Sequence, residues 1–304
     1  MVFAREPRVQ RHNLADLSAT APPASRVGHV KSAGRALDII EGLAAAPDGL
    51  AFTDLARRQA IPKSSLHALL TVLTDRGYVE LDVDRRTYAL GIKAWEVGQA
   101  WRAQGSLVVK ALPVMERTVA AINETLQLAV LDGIENVYLA KVDCSHPVRL
   151  QSEVGKRLYA HATGLGKVLL ASRTNDDLRG RYAGNPFPIV ESSPIASFPE
   201  LLAAMDVVRE RGFAVDDQEY TPGLRCVAVP VYDSDRRVAA ALSAAIPLMR
   251  AGPGPLATAL RAIAAASIEI SRALGVNAPD SRLVDLIDWH GDVLATARDT
   301  MDRR

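Results

Sequence analysis

The segment from Lys63 to Arg76 combines residue types and spacing that suit recognition of a polar surface. Its leucines follow the i, i+3, i+4, i+7 spacing of a buried helical stripe, and they are Leu66, Leu69, Leu70 and Leu73. The opposite side carries small or hydrogen-bonding side chains, namely Ser64, His67, Ala68 and Thr71. Short polar groups of this kind reach base edges when a helix enters the major groove of DNA. We therefore expect contacts to bases or nearby phosphates from Ser64, Ser65, His67 and Thr71.

Basic side chains surround this segment. Lys63 begins it, and the others belong to neighbouring segments: Lys31, Arg35, Arg57, Arg85 and Arg86. Such cations neutralise phosphates and fix the register of a protein on DNA without reading its sequence. The chain as a whole is nearly balanced, with 36 Lys plus Arg against 35 Asp plus Glu, so a DNA contact has to come from a local patch. A protein-binding surface is the alternative, because the patch is diluted by Asp75, Asp82 and Asp84.

The elements that must position these groups are predicted in winged helix-turn-helix order. Two helices precede Lys63, the first starting near Ser32 and the second covering Phe52–Ala60. Two β-prone runs after Gly77 predict a hairpin, and Lys93–Gln104 predicts a linking helix. The expected boundaries are a disordered arm at 1–29, a winged helix-turn-helix at 30–90 and a linker helix at 91–105.

A second feature with chemical capacity is the run Thr163-Gly164-Leu165-Gly166, which precedes the apolar residues 168–170. Free backbone N–H groups at a helix N-terminus favour an anion, and glycine lets a ligand approach the main chain closely. The alternative is plain helix capping with tight packing, which the residues by themselves favour. Both interpretations predict a helix that starts at this run.

Thiol and imidazole chemistry is the alternative offered by Cys144, His146, His161 and Cys226. Their spacing in the sequence matches neither a nucleophile placed beside a base nor a pair of metal ligands. We therefore predict no enzyme activity, no catalytic residue, no metal and no cofactor. The acidic run Asp216–Glu219 is expected to be a solvated turn rather than a cation site.

Length and composition narrow the class of protein. A chain of 304 residues predicts two domains. Two cysteines without a spaced framework favour a reducing cytoplasm, and so a cytoplasmic location is expected. No apolar run reaches about 18 residues, so no transmembrane helix and no membrane partner are predicted.

The remainder of the chain alternates β-prone and helical runs. Strand–turn–strand pairs without an intervening helix favour an antiparallel α+β domain, which we expect at 106–275. The run Val148–Ser152 is expected as a third strand after those at 125–131 and 137–144. Residues 276–304 are expected to form a tail that is helical in part.

Four stretches, taken in this order, resemble signatures of the IclR family of transcriptional regulators. They are Val30–Ile40, Leu55-Ala56 with the Ile61–Ser65 turn, Leu158–Ala171 and Gly212–Val231. The resemblance covers residues 30–275 and implies a GAF-like effector domain, whose curved antiparallel sheet is flanked by helices. It also implies homodimers or homotetramers that bind palindromic double-stranded DNA operators. The implied effector is a small molecule, frequently a carboxylic or aromatic acid.

The same resemblance implies which residues contact the effector. Carried over position by position, they are Gly164, Leu165, Asp216, Leu224, Cys226 and Ser243. Some members of the family carry a second serine where this chain has Ala245, and its loss favours a more apolar or bulkier effector. Val148 and Leu150 are candidates for an apolar wall of the site, and the alternative is that they belong to the core, as strand residues more often do.

Overall fold

The computed structural model describes residues 30–104, 106–150, 152–184 and 186–298. The expected N-terminal arm and the last six residues of the expected tail lie outside these ranges. The chain divides into two compact units after Gly98. Each unit is described separately below.

The first unit has the predicted order of three helices followed by a hairpin. Its elements are α1 (Lys31–Ala44), β1 (Leu50–Ala51), α2 (Phe52–Arg58), α3 (Lys63–Asp75), β2 (Val79–Asp82), β3 (Thr87–Leu90) and the start of α4 (Ile92–Gln104). The strands form one antiparallel sheet in the order β1-β3-β2. The winged helix-turn-helix fold predicted for this region is therefore present.

The core of this unit is a small cluster of aliphatic side chains. Ile39 of α1, Leu55 of α2 and Leu66 of α3 are fully buried in it. After α3 the chain turns at Gly77, whose φ of 74° is the left-handed conformation that glycine adopts most easily. A Cβ at Gly91 would lie 2.3 Å from the carbonyl oxygen of Gly77, so the strand that ends the hairpin passes against the end of α3. These contacts fix the hairpin relative to α3.

The second unit is built on a six-stranded antiparallel sheet. Its strands are β4 (Thr125–Asp132), β5 (Glu135–Val142), β6 (Arg157–Tyr159), β7 (Ala214–Asp217), β8 (Leu224–Tyr232) and β9 (Val238–Pro247). Their order is β6-β5-β4-β9-β8-β7. The helices are α5 (Ser106–Ile122), α6 (Gly164–Ala171), α7 (Asn175–Arg181), α8 (Phe198–Arg211), α9 (Pro253–Ala273), α10 (Ser281–Ile287) and α11 (Val293–Arg298). This arrangement confirms the predicted α+β class with a helix-flanked antiparallel sheet.

The two faces of this sheet bury different kinds of side chain. Alternate strand residues, such as Leu126, Val227 and Leu242, point into a large aliphatic core together with α5 and α9. The other face carries small residues where α6 and α8 pack on it, for example Ala228 and Ala241. Small side chains on that face let α6 approach the sheet closely.

One local expectation differs from the structure. Val148–Ser152 forms no strand in its described residues, and the sheet is extended instead by β6, which pairs with β5. The expected tail contains α10 and α11, and their buried residues Leu283, Leu286 and Val293 belong to the same core as α9. None of the helices in the described ranges combines the length and apolarity needed to cross a bilayer.

Candidate functional site

Helix α3 presents the polar face that its sequence predicts. Ser64, His67 and Thr71 are exposed, whereas Leu66, Leu70 and Leu73 are buried against the core. Ser65 is half-buried, so it is less accessible than the other three. The hydroxyl of Thr71 donates a hydrogen bond of 2.9 Å to the carbonyl oxygen of His67, one turn earlier in the helix. Its oxygen lone pairs stay available to a donor from outside.

The predicted basic residues lie on α1, α2, α3 and the hairpin turn. Most of them are exposed, namely Lys31, Arg57, Lys63, Arg85 and Arg86, while Arg35 is half-buried. Arg57 forms a 2.7 Å ion pair with Asp54, and Arg85 approaches Asp82 to 3.8 Å. Both pairs are solvent-exposed and therefore weak, so a phosphate can replace the carboxylate.

The turn between β2 and β3, which we call the wing, holds Arg86 in an unusual conformation. Its φ of 53° lies in the left-handed region that non-glycine residues seldom adopt. A glycine would fit there without strain. The arginine side chain is therefore placed at the wing tip at some cost to the backbone.

A cavity of about 210 Å³ lies in the second unit, on the sheet face that carries α6. Strand register explains its polar floor, because Gln127 pairs with Ser243, and Asp216 pairs with Cys226 on neighbouring strands. The first residue of α6, Gly164, lies above this floor, and a Cβ built on it would be 3.7 Å from the Cβ atoms of Asp216 and Cys226. The sheet and the start of α6 thus enclose the space between them.

The structure brings together all six residues that the resemblance assigned to effector binding. The cavity lining includes Gly164, Leu165, Asp216, Leu224, Cys226 and Ser243. Leu150 also lines the cavity and packs on an apolar cluster of Leu224, Cys226 and Ala245. Val148 is 52% exposed and does not line it, so the apolar wall expected from Val148 is wrong. That these residues bind a ligand remains a prediction.

The start of α6 is capped, and part of it still faces the cavity. The Thr163 hydroxyl accepts a 3.0 Å hydrogen bond from the N–H of Gly166, which is the capping that the sequence also suggested. The N–H groups of Gly164 and Leu165 precede the first helical hydrogen bond, which joins Lys167 to Thr163. Both of these residues line the cavity and offer donors to an anion.

Asp216 gives the cavity an unusual titratable group. Its side chain is 5% exposed, and one carboxylate oxygen accepts a 2.8 Å hydrogen bond from the N–H of Glu219. Burial, followed by the charge of Glu219, raises the pKa of Asp216 to about 7. Close to neutral pH this carboxyl group therefore exists in both protonation states.

The acidic run Asp216–Glu219 is not the solvated turn that we expected. Glu219 is 8% exposed, and its carboxylate accepts a 2.6 Å hydrogen bond from the ammonium group of Lys167. Lys167 belongs to α6 and is itself buried. The expectation failed because the partner lies 52 positions away in sequence, where no local pattern reveals it.

The cysteines lack the surroundings of a catalytic thiol. Burial, followed by the charge of Asp216, raises the pKa of Cys226 well above its ordinary value, so the thiol stays protonated. Cys144 is buried beside the hydroxyl of Thr125 at 3.5 Å. No group of three or more metal-ligating side chains occurs among the described residues.

Sequence reasoning missed several residues that line the cavity. The polar ones are Gln127, Tyr138, Ser152, Lys156, Tyr220 and Thr221. Gln127 could have been found, because an amide in an otherwise apolar strand is rarely placed in a core without a polar partner. Lys156 is exposed at the rim and forms no ion pair with the residues that the structure describes. Its position on a long loop gives no sequence signal.

The first unit is a winged helix-turn-helix with an exposed polar helix face, and the second unit of the same chain contains a small cavity. This combination defines a class of ligand-responsive DNA-binding regulators. Comparison with known proteins agrees. The family model described as the bacterial transcriptional regulator IclR C-terminal domain matches residues 103–272, and the IclR helix-turn-helix domain matches residues 32–83.

Individual relatives match over most of their own length. The HTH-type transcriptional regulator XynR of Escherichia coli strain K12 is 33% identical over 246 residues, covering 81% of this chain and 98% of XynR. The transcriptional repressor IclR of the same strain is 30% identical over 234 residues, covering 76% of this chain and 84% of IclR. A solved IclR homolog from Microbacterium hydrocarbonoxydans, complexed with 4-hydroxybenzoate, is 26% identical with a TM-score of 0.70, covering 80% and 98% of the two chains.

The chain belongs to the IclR family of bacterial transcriptional regulators. It is a transcriptional regulator with an N-terminal helix-turn-helix DNA-binding domain and a C-terminal ligand-binding domain. Membership confirms the prediction that the chain is not an enzyme, since the relatives named above are regulators.

Proposed function

We propose that this regulator binds operator DNA through α3 and the wing and responds to a small aromatic or hydroxylated carboxylic acid held in the 210 Å³ cavity. The observation that carries the proposal is the buried hydroxyl of Ser243. This side chain is 1% exposed, lines the cavity and has no hydrogen-bond partner in the described part of the chain. A buried hydroxyl without a hydrogen-bond partner is uncommon in a protein core, and a ligand would supply the missing hydrogen bond.

The cavity volume favours a small effector. At about 30 Å³ for each water molecule, it equals roughly seven waters, which suits a molecule of about ten non-hydrogen atoms. Leu150, Leu158 and Leu165 supply an apolar lining that suits a ring or a short carbon chain. The apolar cluster around Ala245 extends this lining.

The polar groups of the cavity favour a molecule with two different ends. A carboxylate would accept hydrogen bonds from the N–H groups of Gly164 and Leu165, and Lys156 is the one cation among the described lining residues. Asp216, once ionised, repels a carboxylate but accepts a hydrogen bond from a hydroxyl group. A molecule with both a carboxylate and a hydroxyl offers a partner to each kind of group. The 4-hydroxybenzoate named with the Microbacterium homolog has this form.

The proposed DNA contacts divide into two kinds. Ser64, His67 and Thr71 reach base edges, while Lys63, Arg57 and Arg86 contact phosphates. Ser65, Lys31, Arg35 and Arg85 add contacts near the same backbone. A steep fall of affinity with salt is expected, since each phosphate contact releases counterions.

We further infer a homodimer or homotetramer. The first turns of α4 expose three large apolar side chains, Ile92, Trp95 and Val97, which are 60%, 61% and 50% exposed. An apolar surface of this kind usually marks an interface. Light scattering of the full chain should give a mass above one protomer, and Trp95→Glu should lower it.

The effector proposal is tested by calorimetry on the full chain with 4-hydroxybenzoate and benzoate as probes. We expect 4-hydroxybenzoate to bind more tightly than benzoate, because only the former has a hydroxyl for Ser243 and Asp216. Ser243→Ala should weaken 4-hydroxybenzoate binding about fivefold, the value of one ordinary hydrogen bond. Ser193→Ala, in the loop before α8, is the matched control and should change nothing.

Two results would contradict the effector proposal. One is that neither probe binds and neither raises the melting temperature. A ligand that binds only the folded protein adds about 2.7 kcal/mol of stability at 100 times its Kd, so binding should raise the melting temperature. The other is that Ser243→Ala and Ser193→Ala bind the probes equally well. The DNA part is tested separately, by the salt dependence of operator binding with the wild type and Arg86→Gly.

A further inference from the structure

We propose that the ligand-binding domain contains a second anion site, an arginine-lined cleft that takes a small phosphate ester. The cleft has a volume of about 420 Å³ and lies between the C-terminal ends of α6 and α8, the β8–β9 turn and α10. It shares no described lining residue with the 210 Å³ cavity. Its occupant would therefore be a ligand different from the effector.

The charge of the lining is one-sided. Five arginines line the cleft, and they are Arg173, Arg209, Arg236, Arg237 and Arg282. The described lining residues include no Asp or Glu. Several guanidinium groups around one concave space attract a dianion, since their fields add in a partly enclosed site.

Two of these arginines are held firmly by the fold and form the walls. Arg209 donates to the carbonyl oxygens of Ala171 and Arg173, at 2.9 and 2.7 Å, and pairs with Asp206. Arg282 pairs with Asp280 and donates to the carbonyl oxygen of Arg209 at 2.6 Å. These bonds neutralise part of the charge and keep the walls rigid.

The other arginines supply the free charge. Arg173 and Arg236 form no ion pair within the described residues, and Arg237 approaches Asp235 only at 4.0 Å on the exposed surface. The Nε atom of Arg173 is buried and has no partner among the described atoms. A buried guanidinium N–H without an acceptor is costly, and a ligand oxygen would satisfy it.

Arg236 is kept at a backbone position where glycine would be less strained. It lies in the β8–β9 turn with a φ of 60°, and the turn is closed by a 2.9 Å hydrogen bond from Asp233 N–H to the carbonyl of Arg237. The side chain of Asp233 also accepts the N–H groups of Asp235 and Arg237, so the turn is fixed. Its rigidity directs Arg236 and Arg237 to the same cleft.

The cleft suits a phosphate ester better than an extended polyanion. Its floor is apolar, formed by Val168, Val208 and Pro230, which would cover the organic part of a small ligand. A phosphate monoester carries close to two negative charges at pH 8 and presents three acceptor oxygens. A DNA backbone would contact the arginines from outside and leave this floor uncovered.

The test is calorimetric titration of the full chain with phenyl phosphate at pH 8. Removing one charged donor should weaken binding about tenfold, so this is the loss expected for Arg173→Gln and for Arg236→Gly. Arg236→Gly also relieves the positive φ, so loss of binding could not be ascribed to misfolding. Arg179→Gln, on the exposed surface of α7, is the control for lost charge and should stay within twofold of wild type.

Five results would overturn this site. The first four are no binding by wild type at millimolar concentration, equal binding by wild type and both cleft variants, an equal loss in Arg179→Gln, and a loss caused by Ser243→Ala instead. A fifth is that Arg236→Gly leaves phenyl phosphate binding unchanged but weakens duplex DNA binding, which would assign the cleft to DNA. The outcome is independent of whether 4-hydroxybenzoate binds the effector cavity.

Discussion

Helices α3 and α6 are both rich in leucine and both contain a lysine, yet they meet solvent in opposite ways. In α3 only one stripe is buried, and Ser64, His67 and Thr71 remain exposed. In α6 all eight residues are buried, including Lys167. A helix buried on every side forms part of the domain core, whereas a one-sided helix leaves a face for other molecules.

This difference determines which groups of each helix can contact other molecules. On α3 the side chains are free, so recognition can change without a change in the fold. On α6 each side chain has a packing role, so the polar groups that it offers to a ligand in the 210 Å³ cavity are backbone N–H groups at its first turn. Substitutions in the two helices should therefore differ sharply in their cost to stability.

The largest effect is expected from Gly166→Ala in α6. A Cβ at this position would lie 2.1 Å from the carbonyl oxygen of Ala160 and 2.3 Å from its Cα, and main chain cannot move aside as a flexible side chain can. We expect a loss of about 4 kcal/mol or more in the free energy of unfolding, measured by urea denaturation. Gly164→Ala is the matched control, because its Cβ would meet other atoms at 3.5 Å or more. Equal stability of the two variants would contradict this packing.

The next effect is expected from Lys167→Met, compared with Lys63→Met in α3. Removing Lys167 leaves Glu219 buried without its ion-pair partner, which should cost about 3 kcal/mol. Lys63 is exposed, so its replacement should change stability by less than about 0.5 kcal/mol. The double variant Lys167→Met/Glu219→Gln should recover part of the loss in the same denaturation experiment. A Lys167→Met protein as stable as wild type would show that the pair contributes nothing.

The same contrast explains which features could be predicted from sequence. The exposed face of α3 follows from residue spacing alone, because solvent and core alternate with the helical period. The burial of Lys167 depends on Glu219 in a distant loop, and no local spacing encodes that contact. Sequence could predict where α6 starts but not that it is covered on all sides.

Two other differences have local physical reasons. The alternation in Val148–Ser152 resembles a strand, but β6 occupies the β5 edge, and Leu150 faces the cavity instead. Helix α7 was missed although its signal was present, since the Thr174 hydroxyl accepts the N–H of Asp177 as an N-cap. The effector residues came from a family resemblance, because residue spacing alone does not bring Gly164 and Ser243 together.

A smaller, pH-dependent effect is expected from Asp216→Asn. The pKa of Asp216 rises from 3.8 to about 7 in the folded state, so the folded protein binds more protons than the unfolded chain between these values. Its contribution to stability is therefore lost as pH rises from about 4 to about 7. Asn cannot ionise, so the variant should match wild type near pH 4 and exceed it by at least about 1 kcal/mol at pH 8.

The control for this effect must separate Asp216 from other titrating groups. Burial, followed by the charge of Lys167, lowers the pKa of His161 to about 4, so that its own contribution falls as pH drops from 6.5 toward 4. His161 is present in both proteins, and its effect cancels in the difference between variant and wild type. Asp84→Asn, at an exposed carboxylate in the wing, should show no such gain. If the stability difference between Asp216→Asn and wild type stays the same from pH 4 to pH 8, the raised pKa of the buried Asp216 is contradicted.

The smallest effect on stability is expected from His67→Ala on α3, where less than about 0.5 kcal/mol should be lost. Its effect on DNA should be selective, since a side chain that contacts a base edge discriminates by about 1–3 kcal/mol against the wrong base. Lys63→Ala should instead weaken binding to all duplexes alike, because phosphates carry no sequence information. Competition binding on duplexes selected from a randomised pool distinguishes the two patterns. If His67→Ala and Lys63→Ala lower affinity by the same factor for every duplex, the exposed face of α3 does not read bases.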